Sequence, residues 1–149
     1  MPTYTKQERL CSFQHQKMLF TYGNDFFCYP FRVVYLKLKT SNHPDPYTGL
    51  IDDPGFDQYL RAPAKCMISV PAKKFKRAVD RNLIKRLIRE AYRKNKSGFY
   101  AFLEKEDYHC LLAFVYSGNQ ILSYAELESK ITISLHKLMD KLKNDKTME

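Results

Sequence analysis

A run of basic side chains between residues 73 and 96 is the part of this sequence best suited to a chemical task. The segment KKFKRAVDRNLIKRLIREAYRKNK holds eleven Lys or Arg residues and only two acids, Asp80 and Glu90. Of the 25 basic and 16 acidic residues in the chain, 14 of each lie outside this segment, so it carries the whole net charge of +9. Such a concentration of charge predicts a polyanionic partner, either nucleic acid or an acidic membrane surface.

The spacing of these residues indicates a helix with two unlike faces. Good helix formers run from Ala78 without Pro or Gly until Gly98. One arc of the helical wheel is apolar and should pack on a sheet; it contains Val79, Leu83, Ile84, Leu87, Ile88 and Ala91. The opposite arc carries a cation at every fourth position, with Asn82 and Arg86 beside the row; the row consists of Arg77, Arg81, Lys85, Arg89 and Arg93.

The cationic row can be interpreted as a phosphate-binding surface or, more simply, as a charged face exposed to solvent. Five like charges one turn apart oppose helix formation by roughly 1 to 2 kcal/mol in all, which bound phosphates would offset. The simpler interpretation is a charged face exposed to solvent, but such faces usually alternate Glu with Lys, and here the only acids are Asp80 and Glu90. A membrane-surface helix is disfavoured because the apolar arc is wide enough to serve a protein core. Charge alone does not separate RNA from DNA.

Hydrophobic periodicity predicts the elements that must position this helix. They are a helix at 8–22 followed by Gly23, strands at Phe31–Lys39, Lys65–Val70 and Tyr108–Tyr116, and a C-terminal helix that starts at a capping box of Ser123 and Glu126. Between residues 40 and 63, four prolines, two glycines and four aspartates predict a long loop insertion. The order helix, strand, strand, basic helix, strand, helix predicts an α+β sandwich on one small sheet. The length of 149 residues indicates a single domain, 1–149, with a frayed tail at 144–149.

Other site classes find little support in the sequence. The four cysteines, Cys11, Cys28, Cys66 and Cys110, form no C-x-x-C pair, so neither a zinc ribbon nor a redox motif is expected. The four histidines join no motif, and no carboxylate cluster suggests a two-metal site. The sequence has no apolar run long enough for a membrane span and no signal peptide, which favours the cytoplasm.

The basic segment resembles the signature helix of the bacterial ribonuclease P protein component family. The family pattern K-x-G-x-A-V-x-R-N-x-x-K-R-x-x-R-E includes an RNR motif, and the matching residues here are Ala78, Val79, Arg81, Asn82, Lys85, Arg86, Arg89 and Glu90. Two positions depart from it, since Leu83 replaces the third motif arginine and Lys76 replaces the usual glycine. The contact assigned to that arginine therefore cannot be transferred.

The resemblance extends through most of the chain. Arg9, Leu10, Phe20 and Gly23 match the spacing of the family's opening helix, although Gln16 stands where a second aromatic is frequent. The three predicted strands and the final helix follow in the family's order. The fold implied is a two-layer α/β sandwich whose small central sheet contains a left-handed βαβ crossover.

The function implied is that of the protein subunit of ribonuclease P. Such a subunit binds the catalytic RNA subunit and the 5′ leader of precursor tRNA, and it assists endonucleolytic removal of the leader. The resemblance places Mg²⁺ on the RNA, which leaves no catalytic residue and no metal ligand in the protein. The alternative is a structural or ribosomal RNA-binding protein without a role in cleavage. A DNA-binding regulator is a weaker alternative, since no helix-turn-helix partner accompanies the basic helix.

Two sets of residues are expected to contact RNA. The RNA-binding set is Lys73, Lys74, Arg77, Arg81, Asn82, Lys85, Arg86, Arg89 and Arg93. The leader-binding cleft is assigned to Phe20, with Phe13 and Tyr35 as weaker candidates, because unpaired bases stack on aromatic rings. Core packing is the competing interpretation of Phe20. The acidic insertion is expected to pack away from the basic helix.

Overall fold

The computed structural model describes residues 4, 8–10, 13–39, 63–106 and 108–145, without the side chains of residues 39, 144 and 145. In chain order the elements are α1 (Phe13–Tyr22), β1 (Asn24–Cys28), β2 (Phe31–Lys39), β3 (Ala64–Ser69), α2 (Ala78–Asn95), α3 (Ser97–Glu106), β4 (Tyr108–Tyr116) and α4 (Tyr124–Asp145). The predicted insertion, apart from residue 63, and the tail beyond residue 145 lie outside the described residues.

The strands form one four-stranded sheet in the order β1-β2-β4-β3. Strand β2 pairs antiparallel with both β1 and β4, whereas β3 and β4 are parallel. The connection between the parallel strands therefore contains α2 and α3. The α+β class is confirmed, and the left-handed course of this crossover stays a prediction.

The sheet buries a different core on each face, as the alternation along β2 requires. Counted over the described residues, Phe31, Val33 and Tyr35 belong to a core of 22 buried residues shared with α2, α3 and α4. On the same count, Val34, Leu36 and Leu38 belong to a core of eight buried residues under α1. Among the described helices, α1 alone lies on that face. Burial on both faces explains why β4, with the sequence YHCLLAFVY, is almost continuously apolar.

The C-terminal helix begins as its capping box predicts. The Ser123 N–H donates to Glu126 Oε2 at 3.3 Å, and the Glu126 N–H donates to Ser123 Oγ at 3.3 Å. The apolar row that follows every three or four residues is buried throughout; it consists of Leu127, Ile131, Leu135, Leu138 and Leu142. This row anchors α4 over the sheet and against α2.

Helix α1 begins at Phe13 and does not include Arg9 or Leu10, which corrects the predicted helix start at residue 8. Arg9 forms an isolated parallel bridge with Cys66, and the Leu10 N–H donates to the Cys66 carbonyl at 3.0 Å. After α1, Gly23 is required for space and not for a left-handed backbone. A Cβ there would lie 2.3 Å from the Leu19 oxygen and 2.8 Å from the Tyr35 oxygen.

Two elements were missing from the sequence prediction. Strand β1, NDFFC, pairs at the edge of the sheet, and its residues Asn24, Asp25 and Phe27 are exposed, so it lacks the longer apolar run that identified the other strands. Helix α3 was not predicted, because Gly98 was interpreted as the end of the basic helix. Gly98 instead occupies an open position in the first turn of α3, where a Cβ would meet nothing within 4 Å.

Candidate nucleic-acid interface

The loop before α2 is anchored to the end of β4 and carries several exposed cations. The N–H groups of Lys74 and Phe75 donate to the Pro71 carbonyl at 3.2 and 3.3 Å, which closes a turn. Phe75 is buried, with its ring centroid 5.8 Å from that of Tyr116, and Lys74 Nζ donates to the Ser117 carbonyl. The predicted phosphate contacts Lys73, Lys74 and Arg77 are all exposed along this loop.

Helix α2 packs by a narrower apolar face than the wheel predicts. Ile84, Ile88, Ala91 and Tyr92 are buried against the sheet and α4. The prediction that Val79 belongs to this face is wrong, because its side chain is 67% exposed. Val79 lies in the first turn, on the side of the helix opposite Ile88, so the sheet cannot reach it.

The outward face of α2 brings part of the predicted RNA-binding set together. Asn82, Arg86 and Arg89 are exposed, and with Val79 and Leu83 they line one cavity. Within the described ranges neither Arg86 nor Arg89 has a carboxylate within salt-bridge distance. Lys85 lies to the side of this group and is half-buried. The arrangement suits binding to phosphate and to a base edge.

Arg81 is partly committed to the protein itself. Its Nη1 donates to the carbonyl of Phe75 at 2.7 Å and to that of Lys76 at 2.9 Å. Arg77, at the N-cap position, provides no side-chain cap. The guanidinium of Arg81 therefore fixes the turn that leads into α2, in addition to any contact it makes outside the chain.

Arg93 is neutralised by its neighbour Glu90. The Arg93 Nε donates to Glu90 Oε2 at 3.0 Å, Nη2 donates to Oε1, and Lys94 Nζ lies 3.8 Å from the same carboxylate. The hydrogen bond from Arg93 lowers the pKa of Glu90, and the same bond raises the pKa of Arg93. Of the cations on this face of α2, Arg89 in the predicted row and Arg86 beside it are therefore exposed without a carboxylate partner among the described residues.

The three aromatic candidates for the leader-binding cleft do not lie together. Phe13 and Phe20 are 76% and 47% exposed on the outer side of α1, whose inner side buries Met18 and Leu19. Tyr35 is buried on the opposite face of the sheet, in the core shared with α2 and α4. The core interpretation therefore applies to Tyr35 and not to Phe20.

A row of side chains across the sheet lies beside α1 and was not predicted. The register pairs Phe27 with Arg32, Arg32 with Val115, and Val115 with Ser69, so all four strands contribute to it. Phe27 and Arg32 are exposed, and Val115 and Ser69 are half-buried. The available signal was the aromatic pair Phe26 and Phe27, which was not recognised as part of a strand. We call these four residues the open sheet row.

A buried polar cluster supports the corner between α2 and α3. Lys96 Nζ donates to Glu8 Oε1, and it lies 5.0 Å from the ring centroid of Tyr100 and 6.0 Å from that of Tyr4. The Tyr4 hydroxyl donates to the Cys66 carbonyl at 2.7 Å. Burial raises the pKa values of Tyr4 and Tyr100. Sequence reasoning had no signal for this cluster, because its charged partners are 88 residues apart.

Two further features are absent from the described ranges, a metal-binding cluster and a membrane-spanning helix. No three His, Cys, Asp or Glu side chains there come close enough to hold a metal ion. No helix of the described chain combines the length and the apolar character needed to cross a bilayer.

Known proteins resemble this chain over most of its length. A sequence model of the family described as Ribonuclease P matches residues 4–142. The ribonuclease P protein component of Porphyromonas gingivalis is 32% identical over 136 residues, which cover 90% of this chain and 86% of the relative. The Chlorobaculum tepidum component is 44% identical over 64 residues, covering 40% of this chain and 42% of the relative. The structure of Staphylococcus aureus RNase P protein shares the fold, with a TM-score of 0.55 at 18% identity over 88% of this chain and 94% of that one.

Proposed function

This chain belongs to the ribonuclease P protein family, and from that premise we propose that it binds the catalytic RNA subunit and the 5′ leader of precursor tRNA. The observation that carries the proposal is the cluster of Asn82, Arg86 and Arg89 on the outward face of α2. The protein in this proposal increases leader removal by positioning RNA, and it works in the cytoplasm.

Contact with the RNA subunit is assigned to α2 and the loop before it. Arg86 and Arg89 can each neutralise a phosphate and release a counterion, which makes affinity depend on salt. Lys73 and Arg77 extend the same basic surface towards the end of β4. Asn82 adds a directional donor and acceptor for a ribose or a base edge. These contacts supply affinity with little sequence preference.

Contact with the leader is assigned to the other face of the sheet. Phe20 on α1 and Phe27 in the open sheet row are exposed rings on which unpaired bases can stack. Arg32 lies beside Phe27, 2.8 Å from Asp25, and it could exchange that exposed carboxylate for a leader phosphate. Exposed ion pairs of this kind contribute only about 0 to 1 kcal/mol, so the exchange is not costly.

Bond cleavage is assigned to the RNA subunit. As the family resemblance implies, the Mg²⁺ ions belong to the RNA in this proposal. RNA-bound Mg²⁺ supplies activated water and stabilises charge on the reacting phosphate. The side chains of this protein bind and orient the two RNAs.

Reconstitution tests the proposal. The protein is added to its RNA subunit and a precursor tRNA with a 5′ leader at low Mg²⁺, and cleavage is expected to accelerate. A protein that binds the RNA subunit tightly but leaves the cleavage rate unchanged would instead be a structural or ribosomal RNA-binding protein. Displacement of the bound RNA by duplex DNA at equal salt would favour a DNA-binding regulator.

A further inference from the structure

Two apolar side chains lie among the polar groups of the outward face of α2. Val79 is 67% exposed, and Leu83, one turn later, is half-buried. Both line the same cavity as Asn82, Arg86 and Arg89. A single exposed apolar residue needs no explanation, but an adjacent pair framed by an amide and two guanidinium groups is a surface of mixed chemistry.

Helix packing does not account for this pair. The core face of α2 is filled by Ile84, Ile88, Ala91 and Tyr92, on the other side of the helix. Leu83 also replaces an arginine in the family pattern given above, so this chain has an apolar contact where that pattern has a charge. The change joins Leu83 to Val79 at i,i+4 spacing, and the two form one continuous apolar strip.

We propose that this strip is a docking site for an unpaired base of the RNA subunit; the inference rests on the proposed function. A nucleobase has two apolar faces, a polar edge and an attached phosphate, and the site offers a complement to each. Val79 and Leu83 cover one face of the base. Asn82 hydrogen-bonds to its edge, and Arg86 and Arg89 bind the flanking phosphates.

The first test separates apolar contact from charge. Val79→Ala, Leu83→Ala and the double variant are compared with the unchanged protein in binding to the RNA subunit over a range of KCl concentrations. Affinity of the double variant should fall roughly five- to thirtyfold at every salt concentration, because apolar contact is lost. The salt slope should stay the same, since no phosphate contact is removed.

Matched controls keep this result interpretable. Ile133→Ala removes a 39% exposed side chain from α4 and should leave RNA affinity unchanged. Leu83→Arg introduces the charge of the family pattern, and it should steepen the salt slope without restoring the contact of the base. Urea unfolding of each variant checks the fold. Val79 lies outside the core, so Val79→Ala removes part of the strip without removing a buried side chain.

The second test identifies the occupant. Abasic nucleotides are placed one at a time in unpaired regions of the RNA subunit. One of them should weaken binding of the unchanged protein and have no further effect on the double variant. If no abasic position is coupled to Val79 and Leu83, the base site is wrong.

Failure of the inference differs from failure of the proposed function. Unchanged RNA affinity of the double variant, with normal RNA binding by the unchanged protein, would overturn the base site alone and favour a protein partner for the strip. No binding of the RNA subunit by the unchanged protein would overturn both proposals.

Discussion

Glu8 and Lys96 form a buried ion pair that joins the segment before α1 to the corner between α2 and α3. Each side chain is 8% exposed, and the rings of Tyr4 and Tyr100 flank the ammonium group. The backbone carbonyl of Lys96 also accepts from the Tyr100 N–H at 2.9 Å, so this residue ends one helix and begins the next.

Breaking this pair should destabilise the protein strongly. Glu8→Gln or Lys96→Met leaves the other charge buried without its partner, which costs about 3 to 5 kcal/mol. The change is measured as the free energy of unfolding in urea. The double variant Glu8→Leu/Lys96→Met should recover most of the loss, because a buried pair can be replaced by apolar groups.

Asp25→Asn breaks an exposed pair with Arg32 and serves as the control, with an expected loss below about 1 kcal/mol. Equal losses for Glu8→Gln and Asp25→Asn would contradict the prediction.

Arg86 and Arg89 should dominate the salt dependence of RNA binding. Arg86→Ala and Arg89→Ala should each lower the slope of log affinity against log salt by about one unit. Arg93→Ala should lower it less, because Glu90 already neutralises that guanidinium. The measurement is a titration of the RNA subunit at several KCl concentrations. Lys137→Ala, which removes an exposed cation from α4, is the control; a slope change as large as that of Arg86→Ala would mean that only net charge matters.

Phe20 and Tyr35 should respond differently to truncation. Phe20→Ala removes an exposed ring and should weaken binding of precursor tRNA with a long leader while leaving a leaderless substrate and the unfolding free energy unchanged. Tyr35→Ala removes a buried ring and should destabilise the fold by about 3 to 5 kcal/mol. Both are measured by substrate binding and urea unfolding. Equal weakening for both substrates by Phe20→Ala would remove Phe20 from the leader site.

Alkaline pH should unfold the protein before its buried tyrosines and thiols ionise. Burial raises the pKa values of Tyr4, Tyr100 and Cys66, and it raises that of Cys110 to about 12. In the unfolded chain these groups return to ordinary values of 9.0 for a thiol and 10.0 for a phenol. Because the folded state keeps these protons, its stability is full below about pH 8 and falls as the pH rises beyond the unfolded values.

The measurement is the urea midpoint between about pH 7 and pH 11, together with tyrosinate absorbance in the folded protein. Alkylation of Cys66 and Cys110, followed by mass spectrometry, should require unfolding. Rapid alkylation of both thiols in the folded protein would contradict their burial.

The sequence was informative where one local pattern dominates. Strand β2 follows from its β-branched and aromatic residues, β4 from its nearly continuous apolar run, and the capped start of α4 from the spacing of Ser123 and Glu126. Helix α3 was missed because Gly98 reads as a helix end, although its position is open. The face to which Tyr35 points depends on which side of the sheet α1 covers, and only tertiary packing decides that.

The sequence predicted the exposure of cations on the outward face of α2 better than it predicted the contacts that each cation makes within the chain. The helical wheel placed Arg89 in the cationic row and Arg86 beside it, and both side chains are exposed on the outward face of α2. The helical wheel also predicted Arg81 to be an equivalent cation. Its Nη1 instead donates to two loop carbonyls, which lie outside the helix and are not shown by a wheel. Glu90 and Arg93 are at i,i+3 spacing, so the sequence itself indicates an ion pair that makes Arg93 a weaker candidate for phosphate binding.

Among the described residues, the cores on the two faces of the sheet differ in size. Helix α1 covers a core of eight buried residues, whereas α2, α3 and α4 share one of 22. The free energy of local opening follows the number of buried contacts that opening breaks. Backbone amides of α1 should therefore exchange with solvent deuterium before those of α2 and α4. That order of exchange would place the more readily opened backbone on the side proposed to bind variable leaders.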